Sequence, residues 1–289
     1  MAVPALVSTE WLAARLGEPG LVPLDCSWYL PSASRDPHAE FLDAHIPGAR
    51  FFDLDAVSDQ VSSLPHMLPS ASQFAADMTA LGLRDDDTIV VYDGSGVNLS
   101  APRAWWMFRV FGHGGVSVLD GGFGAWRREG RPLESGEPAP RQGALTAQLD
   151  TARVRSAADM LASLASHAEQ VVDARSAGRF EGSSPEPRPG LRSGHIPGAR
   201  NVPFTELVQA DGLMKTPDEL RALFRDAGLD LTRPIAASCG SGVTAASLVH
   251  ALHLIGNDQA AVYDGSWAEW GRREELPVES QMDSWTAGQ

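Results

Sequence analysis

The sequence predicts an α/β protein made of two copies of one fold, each a mostly parallel sheet covered by helices on both faces. Three observations carry this expectation: an internal duplication, short apolar runs without alternation, and amphipathic stretches between them. The duplication is the strongest of the three. HIPGAR occurs at His45–Arg50 and again, letter for letter, at His195–Arg200. LVPLD (Leu21–Asp25) answers QVVDA around Asp173, and SASQFAADMTALGL (Ser70–Leu83) answers TPDELRALFRDAGL (Thr216–Leu229). TIVVYDGSGV (Thr88–Val97) answers PIAASCGSGV (Pro234–Val243), and VSVLDGGFGAW (Val116–Trp126) answers AAVYDGSWAEW (Ala260–Trp270). Blocks that recur in one order at nearly one offset mean a duplicated domain; a solenoid would need shorter and more numerous units.

The elements follow in order. Ile89–Tyr92, Val116–Leu119, Val171–Val172 and Ala261–Tyr263 are apolar without period-two alternation, which suits parallel strands buried on both faces. Between Pro217 and Gly228, Leu220, Leu223, Phe224 and Ala227 stand at helical spacing behind a Thr-Pro-Asp-Glu start, and Gly228 closes the helix. Ser100–His113 reads as a helix packed on the first sheet with its Trp and Phe residues as core. Strands alternating with helices imply the parallel sheet. The Pro-, Gly- and Ala-rich stretch from Glu134 to Ala152 lies between the copies, giving domains at 1–136 and 153–289 with 137–152 as the linker.

Composition limits the function classes. The chain has 289 residues, 43% hydrophobic and 21% charged, and a net charge of −14. An acidic chain of this kind argues against nucleic acid or an anionic membrane surface as a partner. No apolar run approaches the roughly 18 residues that a membrane span needs, and the start lacks the basic and apolar regions of a signal peptide. Two cysteines, Cys26 and Cys239, make neither a disulfide framework nor a zinc cluster, so a reduced, cytoplasmic setting is expected. No P-loop, dinucleotide fingerprint or metal-ligand cluster is written in the chain, and no cofactor is expected.

The copies differ where chemistry would reside. After its strand, the first copy reads Asp93-Gly-Ser-Gly-Val97 and the second reads Cys239-Gly-Ser-Gly-Val243. Ligands of open α/β sheets bind at the carboxyl ends of strands. There Gly240, Ser241, Gly242, Val243 and Thr244 run into a helix expected over Ala245–Ile255. Such a loop curls its N–H groups around one point, favouring an anion at a thiol held inside it. Cys239 is therefore the expected nucleophile, and Cys26, matched by Ala174, an ordinary core residue.

Cys239-Gly-Ser-Gly-Val-Thr244, the paired HIPGA segments and the tandem copies together resemble the rhodanese superfamily over essentially the whole chain, and within it the mercaptopyruvate-specific branch. The resemblance implies two tandem rhodanese-like domains with the nucleophile in the second. It implies sulfur transfer from 3-mercaptopyruvate through a Cys239 persulfide to a thiol acceptor, such as thioredoxin or a small dithiol, or to cyanide, with release of pyruvate. Thiosulfate-specific relatives usually carry basic residues inside the loop, and this loop has none. The GRF and PEPR motifs of that branch fall on Arg179 and Arg188, which the resemblance assigns to the substrate carboxylate and keto oxygen. It also places an Asp–His–Ser relay on Asp55, His66 and Ser241. Leu99 departs from relatives that carry a tyrosine there. His45 and His195 recur in both copies and are read as structural, as is Arg175. Two other readings stand beside this one: a thiosulfate:cyanide sulfurtransferase, and a catalytically silent binding module of the same fold. A cysteine phosphatase would need Arg six residues after Cys239, where Ala245 stands.

Overall fold

A computed structural model describes residues 3–280. It divides into two compact units. One holds the described residues up to Gln60 with Leu68–Asp150 and Val208–Met214; the other holds Val61–Met67, Thr151–Leu207 and the described residues from Lys215. The units are not two uninterrupted stretches of chain. The short segments 61–67 and 208–214 each pack with the unit formed by the other half of the sequence.

In the first unit the strands are β1 (Leu6–Val7), β2 (Leu21–Asp25), β3 (Arg50–Phe51), β4 (Thr88–Tyr92) and β5 (Val116–Leu119), ordered β1-β5-β4-β2-β3. The second unit repeats the order as β6-β10-β9-β7-β8, with β6 (Val154–Arg155), β7 (Gln170–Asp173), β8 (Arg200–Asn201), β9 (Ile235–Ser238) and β10 (Ala261–Tyr263). Every named pairing is parallel. In β5, β9 and β10 every residue is buried. Successive side chains of a strand point to opposite faces, so these sheets are covered on both. The missing alternation in the sequence has this physical cause.

The helices begin where the sequence provides caps. Pro217–Asp226 opens on a reciprocal box in which Thr216 Oγ1 accepts from Glu219 N and the Glu219 carboxylate accepts from Thr216 N. Gly228 follows at φ +86°, the left-handed conformation that ends the helix. Ala101–Val110 buries nine of its ten residues, Arg103 among them, and is core on nearly all sides. Ala245–Leu254 is similarly enclosed, buried from Ala245 to Leu252.

The connecting stretch is more than a tether. Arg50 Nη2 donates to Ala139 O at 2.8 Å, Ala144 N to Leu83 O at 2.8 Å, and Asp150 N to Val110 O at 2.7 Å. Arg141 grips the buried Asp87 carboxylate with both terminal nitrogens at 2.5 Å. A Pro- and Gly-rich composition reads as flexible spacer, but here proline removes donors that an irregular backbone would otherwise leave unpaired. Gly143 passes so close to Thr79 and Leu83 that a Cβ would overlap their carbonyl oxygens.

Candidate active site

β9 delivers Cys239 to the carboxyl end of the second sheet, where the chain turns through Gly240–Thr244 into the helix Ala245–Leu254. Cys239 is 2% exposed. One side of the turn is tied down by the helix Ser266–Trp270, whose amides Trp267 N and Ala268 N donate to Cys239 O and Gly240 O at 2.9 Å. Ser266 completes the tie. Its hydroxyl accepts from Cys239 N and from Gly242 N at 3.1 Å and donates to Tyr263 O at 2.8 Å. Ser266 holds φ +48°, a backbone state that non-glycine residues seldom occupy without cause.

Within the loop, the N–H of Gly242 is given to Ser266. The N–H groups of Gly240, Ser241, Val243 and Thr244 have no partner among the described residues. A turn with several unpaired amides at a helix N-terminus is an anion cradle.

The first unit shows what such a turn is shaped to hold. Asp93, in the place of Cys239, is 1% exposed. Its Oδ1 accepts from Ser95 N at 2.9 Å and Ser95 Oγ at 2.5 Å, and its Oδ2 from Ser100 N and Ala101 N at 2.9 Å. The first copy fills its own cradle with a carboxylate.

Two guanidinium groups converge on the second cradle. A Cβ placed on Gly240 would stand 3.1 Å from Arg179 Nη2 and 3.9 Å from Arg188 Nη1. The missing side chain leaves room for both arginines beside the nucleophile. Arg179 is held by Glu186, which accepts from its Nε at 3.2 Å and its Nη2 at 2.6 Å. Glu186 also accepts from Arg175 Nη1 at 2.8 Å. Arg175 in turn chelates Asp173, donates to Gly194 O at 2.8 Å and lies over the Trp267 ring. This buried Asp173–Arg175–Glu186 chain bears out the structural reading of Arg175. Arg188 is half-buried with no hydrogen-bond partner among the described residues. Burial pushes its guanidinium below the ordinary value, and the charge of the neighbouring Cys239 sulfur acts against that shift.

Of the expected relay, Ser241 and His66 come together in the second unit, with Ser241 Oγ 2.9 Å from His66 Nδ1. Both residues are buried, and His66 holds φ +59°. Asp55 belongs to the first unit, where its two carboxylate oxygens accept from Trp28 Nε1 at 3.1 Å. His45 and His195 play matched structural parts: each Nδ1 lies 2.7–2.8 Å from a carbonyl, Phe41 O and Phe180 O respectively, and each ring stacks on that phenylalanine.

Sequence reasoning did not single out Ser266 or Glu186. Ser266 had a signal. It replaces Gly122 of the first copy, and both positions hold positive φ, +53° and +48°. At Gly122 a Cβ would meet Asp93 O at 2.6 Å. The repeat breaks at this point for the same reason it breaks at Cys239. Among the described residues, no group of three or more His, Cys, Asp or Glu side chains is placed to hold a metal ion.

Comparison with known proteins identifies the family. The family described as "Rhodanese-like domain" matches twice, at residues 8–129 and 156–273. The chain is 49% identical over 274 residues to 3-mercaptopyruvate sulfurtransferase of Rattus norvegicus, covering 93% of this chain and 92% of that protein. It is 43% identical to thiosulfate/3-mercaptopyruvate sulfurtransferase 1, mitochondrial, of Arabidopsis thaliana, covering 96% of this chain and 79% of that one. The crystal structure of SseA from Escherichia coli, a 3-mercaptopyruvate sulfotransferase by its description, superposes with a TM-score of 0.84 at 42% identity. That match covers 92% of this chain and all of the other.

Proposed function

The chain belongs to the rhodanese family, and from that premise we propose that it moves sulfur from 3-mercaptopyruvate to a thiol acceptor through a persulfide on Cys239. The observation that carries the reading is the turn of unpaired amides around Cys239, unpaired among the described residues, with two guanidinium groups beside it. The cradle suits a sulfur anion, and the guanidinium forks suit a carboxylate and its neighbouring keto oxygen.

In the first half-reaction the Cys239 thiolate attacks the substrate sulfur. A sulfur–sulfur bond forms and the carbon–sulfur bond breaks, its electron pair passing to the methylene carbon. That carbon takes the proton given up by the substrate thiol and leaves as the methyl group of pyruvate. The hydrogen-bond contact between Ser241 and His66 supports a relay of that proton through the pair. Asp55 is proposed as the third member, orienting His66. Gly240, Val243 and Thr244 contribute amides to the persulfide anion, and Gly242 shapes the turn. In the second half-reaction an acceptor thiol attacks the outer sulfur, forms its own persulfide and releases the Cys239 thiolate. A small dithiol or thioredoxin fits that step, as does cyanide. The acceptor, a cytoplasmic setting, and domains at 1–136 and 153–289 joined by 137–152 belong to the same proposal. No helix among the described residues is long and apolar enough to cross a membrane.

The test compares 3-mercaptopyruvate with thiosulfate, each with cyanide and with a dithiol, and weighs the intact protein before acceptor is added. Preference for 3-mercaptopyruvate with one added sulfur, both lost in Cys239→Ser, is the expected result. Preference for thiosulfate would overturn the donor assignment. Silence with both would favour the binding module.

A further inference from the structure

The two units differ at the end of the sheet away from the Cys239 loop. In the first unit the chain itself covers that end: segment 139–146 runs beside Leu83–Asp85 and joins it by an isolated parallel bridge at Ala144. Ala144 N donates to Leu83 O at 2.8 Å, Asp85 N to Ala144 O at 3.3 Å, and Arg141 pairs with Asp87. In the second unit the same place is a cavity of about 510 Å³ whose wall includes Gln170, Gly198, Arg200, Gly228 and Arg233.

The strand register equates the positions. Arg200 pairs with Val172 as Arg50 pairs with Leu24, so Arg200 stands where Arg50 does. Arg233 and Asp87 both lie six residues ahead of their loop heads, Cys239 and Asp93. Leu229 and Leu231 therefore stand for Leu83 and Asp85. Among the described residues Leu229 O and Leu231 N have no partner, although their counterparts hold Ala144. Among the described residues the backbone socket for an extended segment is present and unfilled.

Its charge is reversed. Arg233 stands where Asp87 meets Arg141, and its recorded bond is to the backbone oxygen of His167. Arg200, folded over Gly228, supplies a second cation. Glu169, also in the wall, is bound on two nitrogens by Arg155. We propose that this cavity binds an extended segment of a partner protein that carries a carboxylate where segment 139–146 carries Arg141. Backbone pairing to Leu229 and Leu231 would supply general affinity, and Arg233 with Arg200 would select the acidic side chain.

The probe is a fluorescein-labelled peptide of residues 138–147 carrying Arg141→Glu, titrated against the full chain by fluorescence anisotropy. It should bind at least about fivefold tighter than the unaltered peptide, as reversing the sign of one partly exposed ion pair allows. In Arg233→Asp, which restores the charge of Asp87, the preference should invert, while sulfur transfer stays at the wild-type rate because Arg233 lies at the far end of the sheet. Equal binding of both peptides, no inversion, or full competition by free glutamate would overturn the proposal. So would binding only after removal of residues 281–289, which would make the occupant a part of this chain.

Discussion

Glu186→Gln separates a residue that orients Arg179, the proposed substrate-binding arginine, from one that merely packs beside it. Glu186 is buried and accepts from two guanidinium groups through three contacts of 2.6–3.2 Å. A glutamine keeps one acceptor oxygen and turns its amide hydrogens toward an arginine, so at least one charge-assisted bond becomes a repulsion. Breaking one side of a buried ion pair costs about 3 kcal/mol, which for a domain of this size lowers Tm by about 6–12 °C. The effect on binding has its own sign. Glu186 takes the Nε and Nη2 edge of Arg179, which fixes the direction of the remaining edge near Gly240. Releasing it should misalign a bidentate contact and raise KM for 3-mercaptopyruvate by about tenfold, equivalent to about 1.4 kcal/mol, with kcat changed by less than about threefold. Pyruvate release coupled to lactate dehydrogenase gives both constants, and calorimetry gives Tm. A lower KM would refute the reasoning, because Glu186 would then be competing with substrate for Arg179. An unchanged Tm would show that the pair contributes nothing to the fold.

Further outcomes follow from the same geometry. Ser241→Ala and His66→Ala should each lower kcat by about ten- to a hundredfold, and the double variant should be no slower than the worse single; additive losses would mean separate roles. Asp93→Ala empties four donor contacts and should destabilise the first unit by about 2–4 kcal/mol in a urea titration. Asp93→Cys should gain no sulfur in intact-mass spectra in a Cys239→Ser background, since beside Gly94, the counterpart of Gly240, the Tyr29 hydroxyl takes the nearest place and Arg35 is held by Glu40. Burial pushes the Asp25 carboxyl up from 3.8 to about 6, against hydrogen bonds from Ser27 and with added repulsion from Asp93. Between those values the unfolded chain is ionised while the folded one keeps its proton, so stability falls as pH rises and about 3 kcal/mol is lost above pH 6. Asp25→Asn, which cannot titrate, should gain Tm relative to wild type from pH 4 to pH 7; a constant difference would contradict the assignment.

The sequence made some of this legible and hid the rest for identifiable reasons. The duplicated blocks locate both sheets because β4 and β9 are buried on both faces, and the Asp93/Cys239 mismatch marks the copy proposed to react. The same comparison exposes Ser266 against Gly122, since a hydroxyl appears where the other copy has space for none. Glu186 is different. An acid in a proline-rich stretch reads as exposed, and only the Arg175 and Arg179 pairing accounts for its burial. His66 was reached through family resemblance, because no local pattern says that segment 61–67 packs with the second unit. The groove by Arg233 was invisible for a related reason: its meaning depends on what fills the matching place in the first unit.

Asp93 has a practical corollary. A carboxylate covalently attached to the chain and already saturated with donors behaves as a bound anion that cannot be diluted away. Sulfite, sulfate or a substrate analogue should therefore raise the melting point of one half of the molecule and leave the other where it was. The first copy is an internal thermometer: in any ligand screen its transition should report buffer and salt, and the gap between the two transitions should report occupancy of the cradle at Cys239.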